Sequence, residues 1–254
     1  SREVIPMKLP MKNPALLRPG PKTEGYLLSA MNLWNTPLSL WGLSQVHIPK
    51  DAEILDIGCG GGKTISRLLK KTPEGHVYGI DSSFRAVDFS WRLNEEAIRD
   101  GRCQIVEGSA EALPFDDNRF SLVIAEEMFY FWKDPAACLK EIYRVLKPGG
   151  QLLLLHSKGA LPPDKIYEKL IPHMKVYRPK ELKEYLEEAG FRNVDVHSRL
   201  SALAVTSVKP LSVLDQAKKR LKLSSSIPYG KLTAIAVSAA ALGLAAYGVS
   251  RKGK

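Results

Sequence analysis

Four glycines, at positions 58, 60, 61 and 62, are the residues of this chain best suited by type and spacing to hold a ligand. Glycine has no Cβ, so a ligand can approach the backbone closely, and it tolerates positive φ. The residues that follow, 63–71, have a helical pattern. The loop would therefore present amide groups at a helix N-terminus, although dinucleotide sites share such loops.

Two aspartates help to distinguish between the kinds of ligand that this loop could bind. Asp56 lies inside the preceding apolar segment, where a dinucleotide fingerprint usually has an apolar residue. Residues 62–64 (GKT) end like a phosphate loop, but Ile57 stands where that pattern needs its first glycine. Asp81 ends the next apolar segment, and its carboxylate could bind two ribose hydroxyls or cap a helix that begins near Ser83. After a glycine loop, the ribose role is favoured.

Alternating strand and helix patterns position these residues. Strands are predicted at 53–57, 76–80, 103–106, 120–125, 151–156, 193–198 and 202–207, and helices at 63–71, 83–99, 134–146 and 179–189. The third helix begins at Asp134-Pro135 and stops at KPGG, as expected of helix ends. The alternation predicts an α/β fold with a parallel sheet covered on both faces, and the last two strands are expected to be antiparallel.

The order of the motifs resembles that of class I S-adenosylmethionine-dependent methyltransferases, in particular the type 11, ubiquinone/menaquinone-biosynthesis-like group. The motifs are LDIGCGGGKT, VYGIDSS, EGSAEALPFDDNRFSLVIAEE, LKEIYRVLKPGGQLLLL and RPKELKEYLEEAGF, within residues 40–209. The resemblance implies a Rossmann-like, doubly wound, mostly parallel seven-stranded sheet whose last strand is antiparallel. It also implies methyl transfer from S-adenosylmethionine. The expected acceptor is a small molecule, or a lipid-like molecule at a membrane surface if the C-terminal segment is an anchor. The alternative is a non-catalytic module that binds the cofactor or a partner.

The same resemblance assigns the parts of the cofactor to residues. The methionine part is expected at Asp56, Gly58, Gly60 and Gly62, the ribose at Asp81 with Ser82, and the adenine between Ser109 and Ala110. Ser109 stands where the family usually has Asp or Asn, which leaves the backbone of Ala110 to serve the adenine. No metal site is expected, because the Cys and His residues do not have ligand spacing.

Four residues at the ends of the fourth and fifth strands are candidates for the reacting end. Glu126 could face the cofactor's amino group, and Glu127 a substrate; the alternative is one helix cap and one solvated acid. Tyr130 is the candidate from the aromatic run 128–132, which is otherwise expected to pack in the core. His156 could act as a base or be a structural histidine. Glu127, Tyr130 and His156 are taken as catalytic candidates, and Glu126 as cofactor-binding.

The basic charge lies mainly after Pro210, where eight basic residues face one acid and contribute +7 of the net +10. Residues 232–250 form an uncharged run of 19 between basic residues, close to a membrane-spanning length. The expected organisation is an extended arm with lid helices (1–45), the cofactor domain (46–209) and a basic segment with a membrane helix (210–254). A packed soluble helix or a flexible tail are the alternatives for that last segment.

Partners and compartment follow from the same composition. Nucleic acid is not expected, because the catalytic domain has no basic patch, whereas a homodimer is compatible with the sequence. The three cysteines are widely spaced and the chain shows no apolar leader, which predicts a cytoplasmic catalytic domain that the C-terminal segment could anchor to a membrane.

Overall fold

A computed structural model describes residues 35–157, 175, 177–199, 202–212 and 215–216. The chain divides into two compact units, Ser1–Pro210 and Leu211–Lys254, and the helices and strands given below belong to the first. Residues 1–34 of the arm and lid segment expected at 1–45, and the membrane helix expected at 232–250, lie outside the described residues. Within the described part, none of the helices has the length and apolar character needed to span a bilayer.

Seven strands form a single sheet. They are β1 (Glu53–Ile57), β2 (His76–Asp81), β3 (Cys103–Glu107), β4 (Phe120–Glu126), β5 (Leu146–Ser157), β6 (Arg192–Arg199) and β7 (Ala202–Val208). Their order is β3-β2-β1-β4-β5-β7-β6. The first five pair in parallel, and β7 pairs antiparallel with both β5 and β6. The predicted doubly wound sheet with its last strand antiparallel is confirmed.

Among the described residues, six helices lie against the sheet: α1 (Thr36–Gly42), α2 (Lys63–Lys71), α3 (Phe84–Leu93), α4 (Glu95–Arg99), α5 (Pro135–Val145) and α6 (Pro179–Glu188). The prediction of one helix over 83–99 is wrong, because the helix is interrupted at Asn94 and two helices, α3 and α4, are found instead. The Asn94 side-chain amide donates to the carbonyls of Gly62 at 3.1 Å and Ser90 at 2.9 Å. It also accepts from the Ser66 hydroxyl at 2.8 Å. These bonds tie the break between the two helices to the end of the glycine loop.

Side chains alternate between the two faces of the sheet. Along β1, Leu55 and Ile57 pack with α5 and α6, whereas Ile54 packs with α1 and α2. The central strands β1, β4 and β5 are buried on both faces, as expected of parallel strands between helical layers. Ligands therefore have access at the strand ends, and the chemistry-bearing residues lie at the carboxyl ends.

Candidate active site

The register of the parallel strands brings the candidate residues to one edge. Ile57 pairs with Ile80 and with Ala125, and Glu126 pairs with Leu155. The strands β1, β2, β4 and β5 consequently end at one level. The glycine loop, Asp81, the two glutamates and His156 follow or end these strands, so they share the carboxyl edge.

The glycine loop needs glycine for two reasons. Gly58, Gly60 and Gly62 have φ of +70°, +48° and +73°, a region that other residues rarely adopt. A Cβ on Gly58 would lie 2.2 Å from the Met128 sulfur, and one on Gly62 would lie 2.3 Å from the Ser90 hydroxyl. Around Gly60 the nearest atom would be 3.9 Å away, so space for a ligand remains there.

Asp81 fastens the loop to the start of α3. One carboxylate oxygen accepts from the Gly60 amide and the other from the Ser83 amide, each at 2.9 Å. The N-cap of α3 is Ser83, so the cap role considered for Asp81 is not observed. The Asp81 carboxylate holds the turn before the helix, and each oxygen keeps a lone pair for another donor, as a ribose would require. Asp81 also lines the adjoining cleft, where ribose hydroxyls could reach it.

A cleft of about 300 Å³ opens beside the loop. The expected cofactor residues that line it are Gly58, Asp81, Ser82, Ser109 and Ala110. Asp56, Gly60, Gly62 and Glu126, which were assigned to the methionine part or the amino group, are not among its lining residues. The cleft is therefore placed where the ribose and adenine are expected.

Sequence reasoning missed part of the cleft lining. Met128, Phe131 and Trp132 line it, although only Tyr130 was selected from that aromatic run. Glu127 has a positive φ of 58° and a 3-10 turn, Phe129–Phe131, follows. These two features rotate successive side chains to different sides, and neither can be read from residue type. Partial exposure of the aromatic Phe131, at 44%, is the consequence.

A buried and a partly buried carboxyl group lie behind the loop. Asp56 is 2% exposed, and its Oδ2 has no hydrogen-bond partner among the described residues. Burial raises the pKa of Asp56 well above its usual range, and the charges of Glu126 and Asp81 raise it further. Burial also raises the pKa of Glu126, against the effect of hydrogen bonds from Ser39 and Thr64. A cation placed here would stabilise both ionised forms.

The three catalytic candidates lie together. The Tyr130 hydroxyl donates to the Glu127 carboxylate, which also accepts from the Ser157 amide. The Tyr130 and His156 rings are 5.3 Å apart between centroids. Burial raises the pKa of Glu127 to about 7 and lowers that of His156 to about 4. Near neutral pH, His156 is therefore an uncharged imidazole, and Glu127 can both take up and release a proton.

His47 is not part of this group. His47 lies in the loop before β1, where its carbonyl accepts from the Gln151 side chain at 3.2 Å. His173 lies outside the described residues. Among the described residues, no group of three or more His, Cys, Asp or Glu side chains could hold a metal ion, and Cys59, Cys103 and Cys138 are buried free thiols.

The donor set fits S-adenosylmethionine. Open space at Gly60 and the lone pairs of Asp81 suit a ribose against the backbone. The unpartnered oxygen of Asp56 and the neighbouring Glu126 carboxyl suit the cationic end of the cofactor. Bound there, S-adenosylmethionine supplies an activated methyl group on a sulfonium.

Comparisons with known proteins agree with this geometry. A family model described as a methyltransferase domain matches residues 55–154. The uncharacterized methyltransferase YdaC of Bacillus subtilis is 27% identical over 77% of this chain and 97% of its own length. The ubiquinone/menaquinone biosynthesis C-methyltransferase UbiE of Neisseria meningitidis is 33% identical over 61% of this chain and 73% of its own.

Solved structures share the fold. The crystal structure of a SAM-dependent methyltransferase from Aquifex aeolicus superposes with a TM-score of 0.62 at 21% identity, covering 73% of this chain and 98% of that one. Because this chain covers 73% of UbiE at 33% identity, the relationship is one of sequence as well as of fold. The chain belongs to the class I S-adenosylmethionine-dependent methyltransferases, and S-adenosylmethionine is its cofactor.

Proposed function

We propose that the enzyme methylates a small, lipid-like acceptor that enters beside Glu127, Tyr130 and His156. The observation that carries this proposal is the Glu127–Tyr130 hydrogen bond next to an uncharged, buried His156. The pKa of Glu127, about 7, suits a group that removes a proton near neutral pH. The three residues form a compact polar site in otherwise aromatic surroundings.

Those surroundings favour an apolar acceptor. The partly exposed Phe131 lines the cleft together with Met128 and Trp132, and its ring packs edge-to-face against Tyr130 with centroids 4.9 Å apart. Aromatic walls bind apolar molecules and exclude the water that would compete for the methyl group. One relative is named for ubiquinone and menaquinone biosynthesis, which supports an acceptor with an apolar body.

Methyl transfer from a sulfonium requires few catalytic side chains. A sulfonium is already activated, so the protein must align the acceptor with the methyl group and keep water out. Glu127 accepts the acceptor's proton when the acceptor arrives protonated. Tyr130 holds the Glu127 carboxylate in place by donating to it. His156 offers a hydrogen bond through Nε2, which has no partner among the described residues.

The cofactor assignments complete the proposal. Asp81 and Ser82 bind the ribose, Ser109 and the Ala110 backbone flank the adenine, and Gly58, Gly60 and Gly62 form the surface for the methionine part. Asp56 and Glu126 face its ammonium group. Five of these residues line the cleft, and the Asp56 oxygen without a partner lies near Glu126, where a cation would stabilise both carboxylates; these two observations support the assignments.

Turnover of the full-length enzyme tests the function. Formation of S-adenosylhomocysteine is measured with a panel of quinol, phenol and lipid acceptors. The wild type is expected to turn over at least one of them, with kcat rising as pH passes about 7. E127Q should lose this step while its S-adenosylmethionine affinity stays unchanged, and E188Q, a change at an exposed glutamate of α6, should retain it. Tight cofactor binding without turnover on any acceptor would instead favour the non-catalytic module.

We also propose that the segment 210–254 brings the enzyme to an anionic membrane surface. Its charge of +7 and the apolar run at 232–250 support this. Full-length protein should co-float with vesicles of phosphatidylserine and phosphatidylcholine. Replacement of Lys218, Lys219 and Arg220 by glutamine should reduce that fraction severalfold, and equal flotation of both proteins would contradict the proposal.

A further inference from the structure

Helix α1 is fastened to the carboxyl edge by a buried serine. Ser39 is fully buried, and its hydroxyl lies 2.6 and 2.7 Å from the two carboxylate oxygens of Glu126. A few residues on, Gly42 lies so close to β5 that a Cβ would come within 2.2 Å of Leu155. The helix therefore lies directly on the sheet, with a polar contact at the end of β4.

The same carboxylate holds the start of α2. The Thr64 hydroxyl, in the first turn after the glycine loop, donates to Glu126 at 3.0 Å. Arg67, one turn later, donates to the Thr36 hydroxyl of α1. Glu126 thus joins α1 to the helix whose N-terminus is the glycine loop, and Ser39 supplies the shortest of its bonds.

This cluster is short of positive charge. Asp56 and Glu126 are close enough for the charge of Glu126 to raise the pKa of Asp56, and Arg67 is the cation that opposes both within the described part of the chain. The Asp56 oxygen without a partner is buried behind the glycine loop. An ammonium group would supply the missing charge, and the methionine end of S-adenosylmethionine carries one.

We infer that Ser39 is a positioning residue of the cofactor site, which acts through Glu126 to couple the docking of α1 to binding of the cofactor's amino-acid end. The inference rests on the proposed place of that end beside Asp56 and Glu126, and does not depend on the acceptor. Two hydroxyl donors, Ser39 and Thr64, hold the Glu126 carboxylate in one orientation. Without the first, the carboxylate loses its link to α1 and the preorganisation that favours a cation.

Helix α1 lies outside the stretch that the family model covers, residues 55–154. It also lies in the segment that the sequence assigns to the arm and lid. A contribution of Ser39 would make this segment part of the cofactor site. Its effect should be confined to the amino-acid half of the ligand, because the cleft for the nucleoside is lined by other residues.

Calorimetry on the full-length protein tests this with two ligands. S-adenosylmethionine carries the amino-acid end, and 5′-methylthioadenosine lacks it. S39A should weaken S-adenosylmethionine binding roughly three- to tenfold, the range of one ordinary hydrogen bond, and leave methylthioadenosine binding unchanged. T64V, which preserves side-chain volume, should act in the same direction. S44A is the matched control, because the Ser44 hydroxyl donates to the Trp41 carbonyl and makes no bond to Glu126.

A mutant cycle separates positioning from simple packing. In the E126Q background, S39A should have no further effect on S-adenosylmethionine affinity, since Ser39 would no longer act on a carboxylate. Equal weakening of both ligands by S39A, no weakening of either, or full additivity with E126Q would overturn the inference. Failure of the proposed methyl transfer would appear differently, as absent turnover with the ligand-selective loss intact.

Discussion

Replacement of Glu127 and of His156 should change the pH dependence of stability in opposite directions. Burial raises the pKa of Glu127 from 4.5 to about 7. Between these values the folded protein keeps a proton that the unfolded chain has released, so this residue makes stability fall as pH rises. Burial lowers the pKa of His156 from 6.5 to about 4. Between pH 4 and 6.5 the unfolded chain binds a proton on His156 that the folded protein does not, so this residue makes stability rise with pH.

The two effects are similar in size. Each pKa difference corresponds to roughly 3 kcal/mol across its window. In the wild type they largely cancel between pH 4.5 and 6.5, the range that the windows share. E127Q should gain roughly 3 kcal/mol relative to wild type as pH rises from 4.5 to 7. H156Q should gain a similar amount as pH falls from 6.5 to 4.

Urea unfolding followed by circular dichroism at half-unit pH steps measures both slopes. A constant offset from altered packing is expected and does not affect them. E188Q and H76Q, at exposed positions, should differ from wild type by less than about 0.5 kcal/mol throughout. Parallel stability curves for E127Q and wild type would show that the Glu127 carboxyl is solvated in solution, and would refute both its burial and its proposed role as a base.

Two further predictions concern the glycine loop. D81A should weaken S-adenosylmethionine binding on the order of a hundredfold, because two charge-assisted bonds to ribose are lost together with the hydrogen bond to the Gly60 amide. In calorimetry the control D88A should bind as the wild type does, and a D81A affinity within threefold of wild type would contradict the ribose role. G62A should destabilise the fold by about 2–3 kcal/mol in urea unfolding, because its Cβ would clash with Ser90 in addition to the cost of positive φ. The control G101A, with φ of +73° and no atom within 4 Å, should lose only about 1 kcal/mol for its φ, and equal losses of stability in the two variants would contradict the packing argument.

Local patterns predicted most elements of the fold. Strand β1 is found at the predicted residues, and Asp134 caps α5 by accepting from the Ala137 amide at 3.0 Å, as its Asp-Pro start indicates. Strand β5 begins earlier than predicted, at Leu146, because it pairs with Phe120 before a register shift. Residues 147–150 (KPGG) have the composition of a turn and lie within that shift, between the paired residues Leu146 and Gln151, where Gly149 has a φ of +83°.

The candidate site likewise has a part that the sequence predicts and a part that it does not. The glycine loop and Asp81 form a local unit, so their types and spacing were sufficient to place them together. The contact between Ser39 and Glu126 joins residues 87 positions apart, which no local pattern can indicate. The orientation of Met128 and Tyr130 depends on the positive φ at Glu127 and the turn after it. Long-range contacts and backbone conformation, rather than residue type, decide these parts.

The position of β7 in the sheet has a consequence for synthesis of the chain. This strand is last in sequence but lies between β5 and β6, and it supplies the antiparallel partner of both. While the ribosome has yet to release residues 202–208, β5 has one open edge and β6 has no place in the sheet. An open edge of a long apolar strand is a site for pairing with other chains. Closure of the β6–β7 hairpin onto β5 is therefore the step that covers this edge of the sheet.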